Sequence, residues 1–230
     1  MTFILAGFLV SQFTGRIIYI QEKANITRII DGDTLDTDVG RVRMLGINTP
    51  EKNEQGFNEA SNFLKKYWGK DVSLISTNED KDKYNRLLRY ISYNNQLVNE
   101  QILALGLAHF YSYTNDEYTE ELKQAEEQAR LKNLGIWQKS KDECASCIQL
   151  IKLNPVDPGE YVLLKNNCNF NCNLQDWFIK DDASNKRKLN FSLSSLEQIK
   201  LDYSGRVWND AGDSLYLRDE QGLLVLFFRY

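Results

Sequence analysis

Histidine is nearly absent from this chain: His109 is the single imidazole in 230 residues. Histidine-ligated metal clusters and phosphohistidine relays need several imidazoles, so they are hard to build here, and carboxylates, arginines and oxygen-preferring metals remain. Excess positive charge is missing too. With 28 Lys and Arg against 32 Asp and Glu the formal net charge is -4, which argues against coating nucleic acid through bulk counterion displacement. Any nucleic-acid contact must be local. Internal repeats and low-complexity tracts are also lacking. What is present, 42% hydrophobic and 26% charged residues, is ordinary for a globular chain long enough for one large domain or two small ones.

The N-terminal run MTFILAGFLVSQFTG meets its first basic residue only at Arg16. It does not alternate as an amphipathic strand would, it lacks the positive start of a good signal peptide, and it is short for a spanning helix. An export or membrane-anchoring role for residues 1–20 is expected, with a buried strand as the alternative. The rest of the chain would then be extracellular or at the cell surface.

Downstream, ANITRII, DTLDTDV and GRVRMLGI read as short strands, with turns at Asp31-Gly32 and Gly40. From Glu54 to Trp68 the period becomes helical, placing Phe57, Ala60, Phe63, Leu64 and Tyr67 on one face. Strands DVSLIST and RLLRYISYNN follow, then helical stretches QLVNEQILALGLAHF and NDEYTEELKQAEEQARLKNLGIW, the second with Gly135 as a plausible C-cap. This order suits a small barrel dressed with helices, ending near Trp137. Residues 138–147, QKSKDECASC, read as a linker. Beyond them CIQLIKLN, EYVLLKNN, LQDWFIKDD, KLNFSL, LEQIKLDY, DSLYLRDE and LLVLFFRY form a series of strands that argues for an all-β sandwich over 148–230.

The segment RIIDGDTLDTDVGRVRMLGINTPE, residues 28–51, concentrates chemistry. A hard divalent cation needs carboxylate, amide or carbonyl oxygens converging from loops and strand ends, and Asp33, Asn48 and Thr49 can supply them. Arg43 lies in a strand-like run nearby, Pro50 fixes the backbone before Glu51, and Arg86 follows a hairpin turn in DKDKYNRLLRY. Metal, carboxylate and guanidinium groups together make a phosphodiester site. Taken singly, Asp-Gly is usually only a turn, a strand arginine solvates an exposed face, and TPE is an ordinary helix entry.

IIDGDTL, RVRMLGINTPE, DKYNR, VNEQILALGLA and EQARLKNLGIW, in this order over about residues 24–137, resemble the staphylococcal (thermonuclease) nuclease family. The resemblance implies an α+β fold, an OB-type five-stranded barrel with three helices, and a calcium-dependent endonuclease that cuts DNA and RNA to leave 3′-phosphate ends. It implies Asp33, Asn48 and Thr49 at Ca²⁺, Glu51 activating or orienting water, Arg43 and Arg86 on the phosphate, and Lys83 and Tyr84 at the nucleotide, with single-stranded or denatured substrate preferred. Asp31 would have a turn or supporting role. Asn48 departs from the family's usual aspartate, and the lost charge should weaken the metal site. A barrel that binds nucleic acid or protein without catalysis is the alternative this departure favours.

GEYVLLKNN, NLQDWFIKDD and GRVWNDAGDSLYLRDEQGLLVL resemble the lamin-tail domain. That implies an immunoglobulin-like sandwich with Trp208 and Leu215 in its core and a binding or anchoring role with an unknown partner. Four cysteines lie there. If CIQLIKL pairs antiparallel with YVLLKNN, Cys147 meets Cys168 and Cys144 meets Cys172 at the open end of one hairpin. Two nested disulfides satisfy this, and so does a structural four-thiolate Zn²⁺ site.

Overall fold

The computed structural model describes residues 21–112, 115–156, 158–183, 185–209 and 212–230. The export or anchor segment expected at residues 1–20 lies outside them. Among the described residues no helix is long and apolar enough to cross a membrane.

Strands β1 (Gln21–Ile29), β2 (Thr34–Thr37), β3 (Gly40–Met44), β5 (Asp71–Lys81) and β6 (Leu87–Tyr93) form a barrel; the short pairs β4 (Ile47–Asn48), β7 (Gln96–Leu97) and β8 (His109–Phe110) complete this half. The sheet order is β3-β2-β1-β5-β6-β7, and a parallel pairing of β3 with β6 closes it. Apolar residues at alternate positions turn inward, as Ala24 and Ile26 on β1 and Val42 and Met44 on β3 show. Helices α1 (Phe57–Lys65), α2 (Val98–Ala104) and α3 (Thr119–Leu131) cover the barrel. They bury the stripes that helical spacing predicts, Ala60, Phe63 and Leu64 on α1 and Leu122, Ala125 and Ala129 on α3. This is the five-stranded, three-helix OB-type barrel expected from the sequence.

The second helical stretch is shorter than its periodicity suggests. Gly106 adopts φ 67°, which ends α2 in a left-handed turn, and His109–Phe110 then pair as a strand with β4. The residue that ends α3 in the left-handed region is Asn133 (φ 53°); Gly135, also left-handed at φ 52°, lies two residues further on and opens a 3₁₀ turn over Gly135–Trp137. A Cβ at Gly135 would press into the backbone of Gly106, so close packing together with a positive φ selects that glycine.

The C-terminal half contains β9 (Ile148–Asn154), β10 (Tyr161–Asn166), β11 (Cys172–Asn173), β12 (Phe178–Lys180), β13 (Lys186–Lys188), β14 (Ser192–Leu193), β15 (Gln198–Asp202), β16 (Ser214–Arg218) and β17 (Leu224–Arg229). They form a sheet β15-β10-β9, a sheet β13-β12-β16-β17 and a small β11-β14 pair, around a core that includes Trp177, Trp208, Val162, Leu164, Leu215 and Leu217. The mostly β composition is consistent with a sandwich. Cys144–Cys172 and Cys147–Cys168 are disulfides, with Cα separations of 5.5 and 5.2 Å. All four cysteines are thus consumed, and the zinc alternative has no thiolates to use.

Residues 138–147, read as a linker, are pinned instead. Gln138 and Ser140 exchange backbone hydrogen bonds with Leu224, and a 3₁₀ turn over Glu143–Ser146 is capped by the Asp142 side chain. A third core, formed by Ala129, Ile136, Trp137, Tyr216 and Leu224, joins the halves. Its apolar residues come from both sides.

Candidate functional site

The turn between β1 and β2 is built by Asp31. Its Oδ1 accepts from the amides of Asp33 at 3.0 Å and Thr34 at 2.7 Å, a side-chain turn of the kind aspartate favours. Gly32 is there for space, not for a special backbone angle: a Cβ on it would lie 2.6 Å from Cβ of Ala60 and 2.7 Å from Oγ1 of Thr49. That close approach seats Asp33 against the turn after β4. Oδ2 of Asp33 accepts from the Thr49 amide at 3.0 Å and the Thr49 hydroxyl at 3.1 Å.

On the other side, Oδ1 of Asp33 accepts from the Thr34 hydroxyl at 3.0 Å and lies 3.3 Å from Nε of Arg43. Arg43 sits on β3 directly opposite Thr34 on β2. Its Nη1 donates to the carbonyls of Met44 at 2.6 Å and Ile47 at 2.8 Å, and its Nη2 to Oδ1 of Asn48 at 3.2 Å. Arg86 reaches the same network from the β5–β6 hairpin, its Nη1 donating to the Thr34 hydroxyl at 3.4 Å. Asp82 holds it there, accepting from Nε at 2.7 Å and from the Arg86 amide at 2.9 Å. Burial works against the Asp82 carboxylate, but the amides and the guanidinium outweigh it and keep its pKa below the usual range.

Asp31, Asp33, Thr34, Arg43, Thr49 and Arg86 therefore share one connected cluster. Burial and the adjacent Asp33 charge raise the pKa of the Asp31 carboxyl, partly offset by the two amides and by Arg43. Two crowded carboxylates beside the hydroxyls of Thr34 and Thr49 offer oxygen donors of the kind a hard cation takes, although both already accept from N–H groups and no group of three or more His, Cys, Asp or Glu side chains suited to a metal occurs among the described residues. Asn48 is placed differently from the other predicted ligands: its Oδ1 is taken by Arg43 and its Nδ2 donates to the carbonyl of Asp182 at 2.9 Å. Glu51 is exposed on the turn before α1, where its amide donates to Oε2 of Glu54 at 3.1 Å.

A groove of about 920 Å³ opens beside the cluster, lined by Arg43, Arg86, Lys83, Tyr84 and Tyr111 among others. Tyr84 is 69% exposed at its rim, with the ammonium of Lys83 5.1 Å and the guanidinium of Arg86 5.5 Å from its ring. Glu79, Asp82 and Asp116 line the groove as well, but arginine and lysine side chains beside an exposed aromatic can hold a phosphate and stack a base. Sequence reasoning passed over Thr34, Asp82 and Glu54. Only Asp82 left a signal, four residues before Arg86 across a turn.

The profile of the family described as staphylococcal nuclease homologue matches residues 41–139. The chain is 36% identical over 126 residues to a thermonuclease of Staphylococcus intermedius, covering 50% of this chain and 75% of that protein. It is 32% identical over 129 residues to a thermonuclease of Staphylococcus hyicus, covering 51% and 76%. To the SPbeta prophage-derived endonuclease YokF of Bacillus subtilis it is 33% identical over 129 residues, covering 50% and 44%.

Proposed function

The chain belongs to the staphylococcal nuclease family, and from that premise we propose that its barrel is a calcium-dependent endonuclease that hydrolyses the phosphodiester bonds of DNA and RNA, leaving 3′-phosphate ends. The observation that carries this reading is the convergence of Arg43 and Arg86, from separate elements, on the buried Thr34–Asp33 pair, with both guanidinium side chains lining the groove. Each guanidinium offers several donors in a rigid fork matched to phosphate oxygens. Negative charge that grows on those oxygens in the transition state is what such preorganised donors stabilise.

Asp33, with Asp31 and Thr49 beside it, would hold Ca²⁺, which when bound supplies a positive charge against the phosphate. Glu51 is exposed and takes the part of the base that receives a proton from water. Lys83 and Tyr84 bind the nucleotide, Tyr84 through its ring face, which suits single-stranded substrate because stacking tolerates any base.

The C-terminal half is read as a lamin-tail-like sandwich with a binding or anchoring role, and residues 1–20 as an export or anchoring segment. Two disulfides support a site of action outside the reducing cytosol. The loss of the family's usual acid at Asn48 favours one rival, a barrel that binds nucleic acid without cutting it.

The test is cleavage of denatured DNA by the chain in millimolar Ca²⁺ and again in chelator, beside Glu51→Gln. Calcium-dependent cutting is expected, with Glu51→Gln lowering kcat by 10²-fold or more, the range of a general base, and leaving substrate binding nearly unchanged. Binding without cutting would make the barrel a recognition module.

A further inference from the structure

The catalytic turns of the barrel are tied to the C-terminal half. Asn48, bonded through Oδ1 to Arg43, donates from Nδ2 to the Asp182 carbonyl at 2.9 Å. That carbonyl is fixed in turn: the Asp182 amide donates to Oδ1 of Asp213 at 3.2 Å, and the Asp182 carboxylate accepts from the Tyr216 hydroxyl at 2.6 Å. Nearby, Oε2 of Glu54 accepts both from the Glu51 amide at 3.1 Å and from Nζ of Lys180 at 2.8 Å. The Lys180 side chain is 7% exposed, and Lys186 lies 3.6 Å from the other Glu54 oxygen. Burial opposes ionisation of Glu54, yet the two lysines and the Glu51 amide hold its pKa below the usual range. Beneath both turns, β8 pairs with β4, and Glu126 accepts from the Phe110 amide while binding Arg229 of β17 through both oxygens.

We propose that Lys180 and the Asp182 carbonyl are positioning elements of the barrel's active site, holding Glu51 through Glu54 and Arg43 through Asn48, so that the C-terminal half is an integral part of the catalytic unit. The inference rests on the nuclease reading of the barrel. Its physical basis is that an exposed carboxylate on a short turn has no packing of its own to aim it, whereas reaction rate is sensitive to misplacements of about 1 Å. A carboxylate oxygen shared between the Glu51 amide and a buried ammonium transmits the position of the sandwich to the base. The same geometry accounts for Asn48. Only an amide can accept from Arg43 with its oxygen while donating to the Asp182 carbonyl with its nitrogen; an ionised aspartate has no donor and would face that carbonyl with like partial charge.

The test is steady-state cleavage of denatured DNA in Ca²⁺ by the full chain and by Lys180→Met, Lys180→Arg and Asn48→Asp, each also followed by thermal melting. Lys180→Met is expected to lower kcat about tenfold, with KM within about twofold of the parent, and Lys180→Arg to recover most of the loss. Asn48→Asp is expected to lower kcat by a similar factor although it adds a carboxylate beside the site. Should Lys180→Met fail to fold, Glu54→Gln reports on the same link from the barrel side, with the same loss of kcat expected. Unchanged kcat in both Lys180→Met and Asn48→Asp overturns the proposal, as does a gain on Asn48→Asp, which would make position 48 a ligand in want of charge. A loss that tracks the melting temperature and is not recovered by Lys180→Arg also overturns it, reducing the contacts to interface cohesion. A parent chain that binds denatured DNA but does not cut it removes the nuclease reading itself, and this proposal with it.

Discussion

Asp182 shows how one residue at the junction acquires an unusual acidity. Burial pushes its carboxyl up from an ordinary 3.8 to about 6, against the opposing pull of the Tyr216 hydroxyl and of Arg229. Between those two pH values the folded chain keeps a proton that the unfolded chain has lost. The contribution of Asp182 to stability therefore falls as pH rises from about 4 to about 6, by on the order of 2–3 kcal/mol. Asp182→Asn keeps an oxygen for Tyr216 and removes the titration. Its advantage in melting temperature over the parent is expected to be near zero at pH 4 and about 4–12 °C at pH 7, read by scanning calorimetry. An advantage that is flat across this range contradicts the assignment. His109 runs the other way: burial, with Arg218, Lys180 and Arg229 nearby, sends its pKa well below the ordinary range, so its contribution to stability is lost as pH falls through the unfolded value. It is the same in both chains and cancels in the comparison.

Among the elements, the β9–β10 hairpin illustrates what local pattern can and cannot specify. Val162, Leu164 and Asn166 are the buried positions of β10, which strict alternation predicts for the first two. The third is polar and 0% exposed. Its amide nitrogen serves the carbonyls of Phe170, Leu193 and Ser194, and its oxygen accepts from the Cys168 amide, so it laces the hairpin end to the strand opposite. The disulfides reinforce this end, and the pairing of cysteines was legible because antiparallel partners keep a nearly constant sum of residue numbers. Replacing Cys144 and Cys172 by alanine opens a loop closed across 28 residues. Because the nested Cys147–Cys168 bridge already spans 21 of those residues, the loop opened is effectively the difference between 28 and 21, or 7 residues. The expected cost is about 2–3 kcal/mol by loop-closure entropy, measured by guanidinium unfolding followed through tryptophan fluorescence. A loss below about 1 kcal/mol would show that the remaining Cys147–Cys168 bridge already restricts the unfolded chain as much. Apolar spacing continues through His109–Phe110 and so extends the helical pattern past the true end of α2, where Gly106 turns left-handed; the Leu134 backbone across the turn leaves no room there for a Cβ.

For the molecule as a whole, the two halves share a core. Trp137 and Tyr216 are buried at 0%, and His109 packs edge-on against Trp137 and tilted against Tyr216, with ring centroids 5.0 Å and 4.3 Å away. Arg218 adds a buried bond to the Ile136 carbonyl at 2.8 Å. Independent motion is the default for linked domains unless the interface is extensive and apolar, and this junction is apolar at its centre. A single calorimetric transition is therefore expected for the chain. Trp137→Ala, which removes a buried aromatic at a cost of about 3–5 kcal/mol, is expected to split that transition into two. Two transitions in the parent chain would mean that the shared core does not couple the halves.

By itself the sequence determined what depends on neighbours along the chain: the strand and helix periods, the Asp31 turn, the cysteine register, and the motifs that place Asp33, Arg43, Glu51 and Arg86 in one family pattern. Tertiary structure alone decided the rest. That Gly32 is a contact glycine, that Thr34 links Arg86 to Asp33, that residues 138–147 are pinned, and that Asn48 faces Asp182 all depend on partners far away in sequence. Asn48 and Asp182 are 134 positions apart, and no periodicity or local motif encodes a hydrogen bond across that distance. It exists because the shared apolar core brings the two backbones together, after which an amide is the side chain that satisfies both of its neighbours.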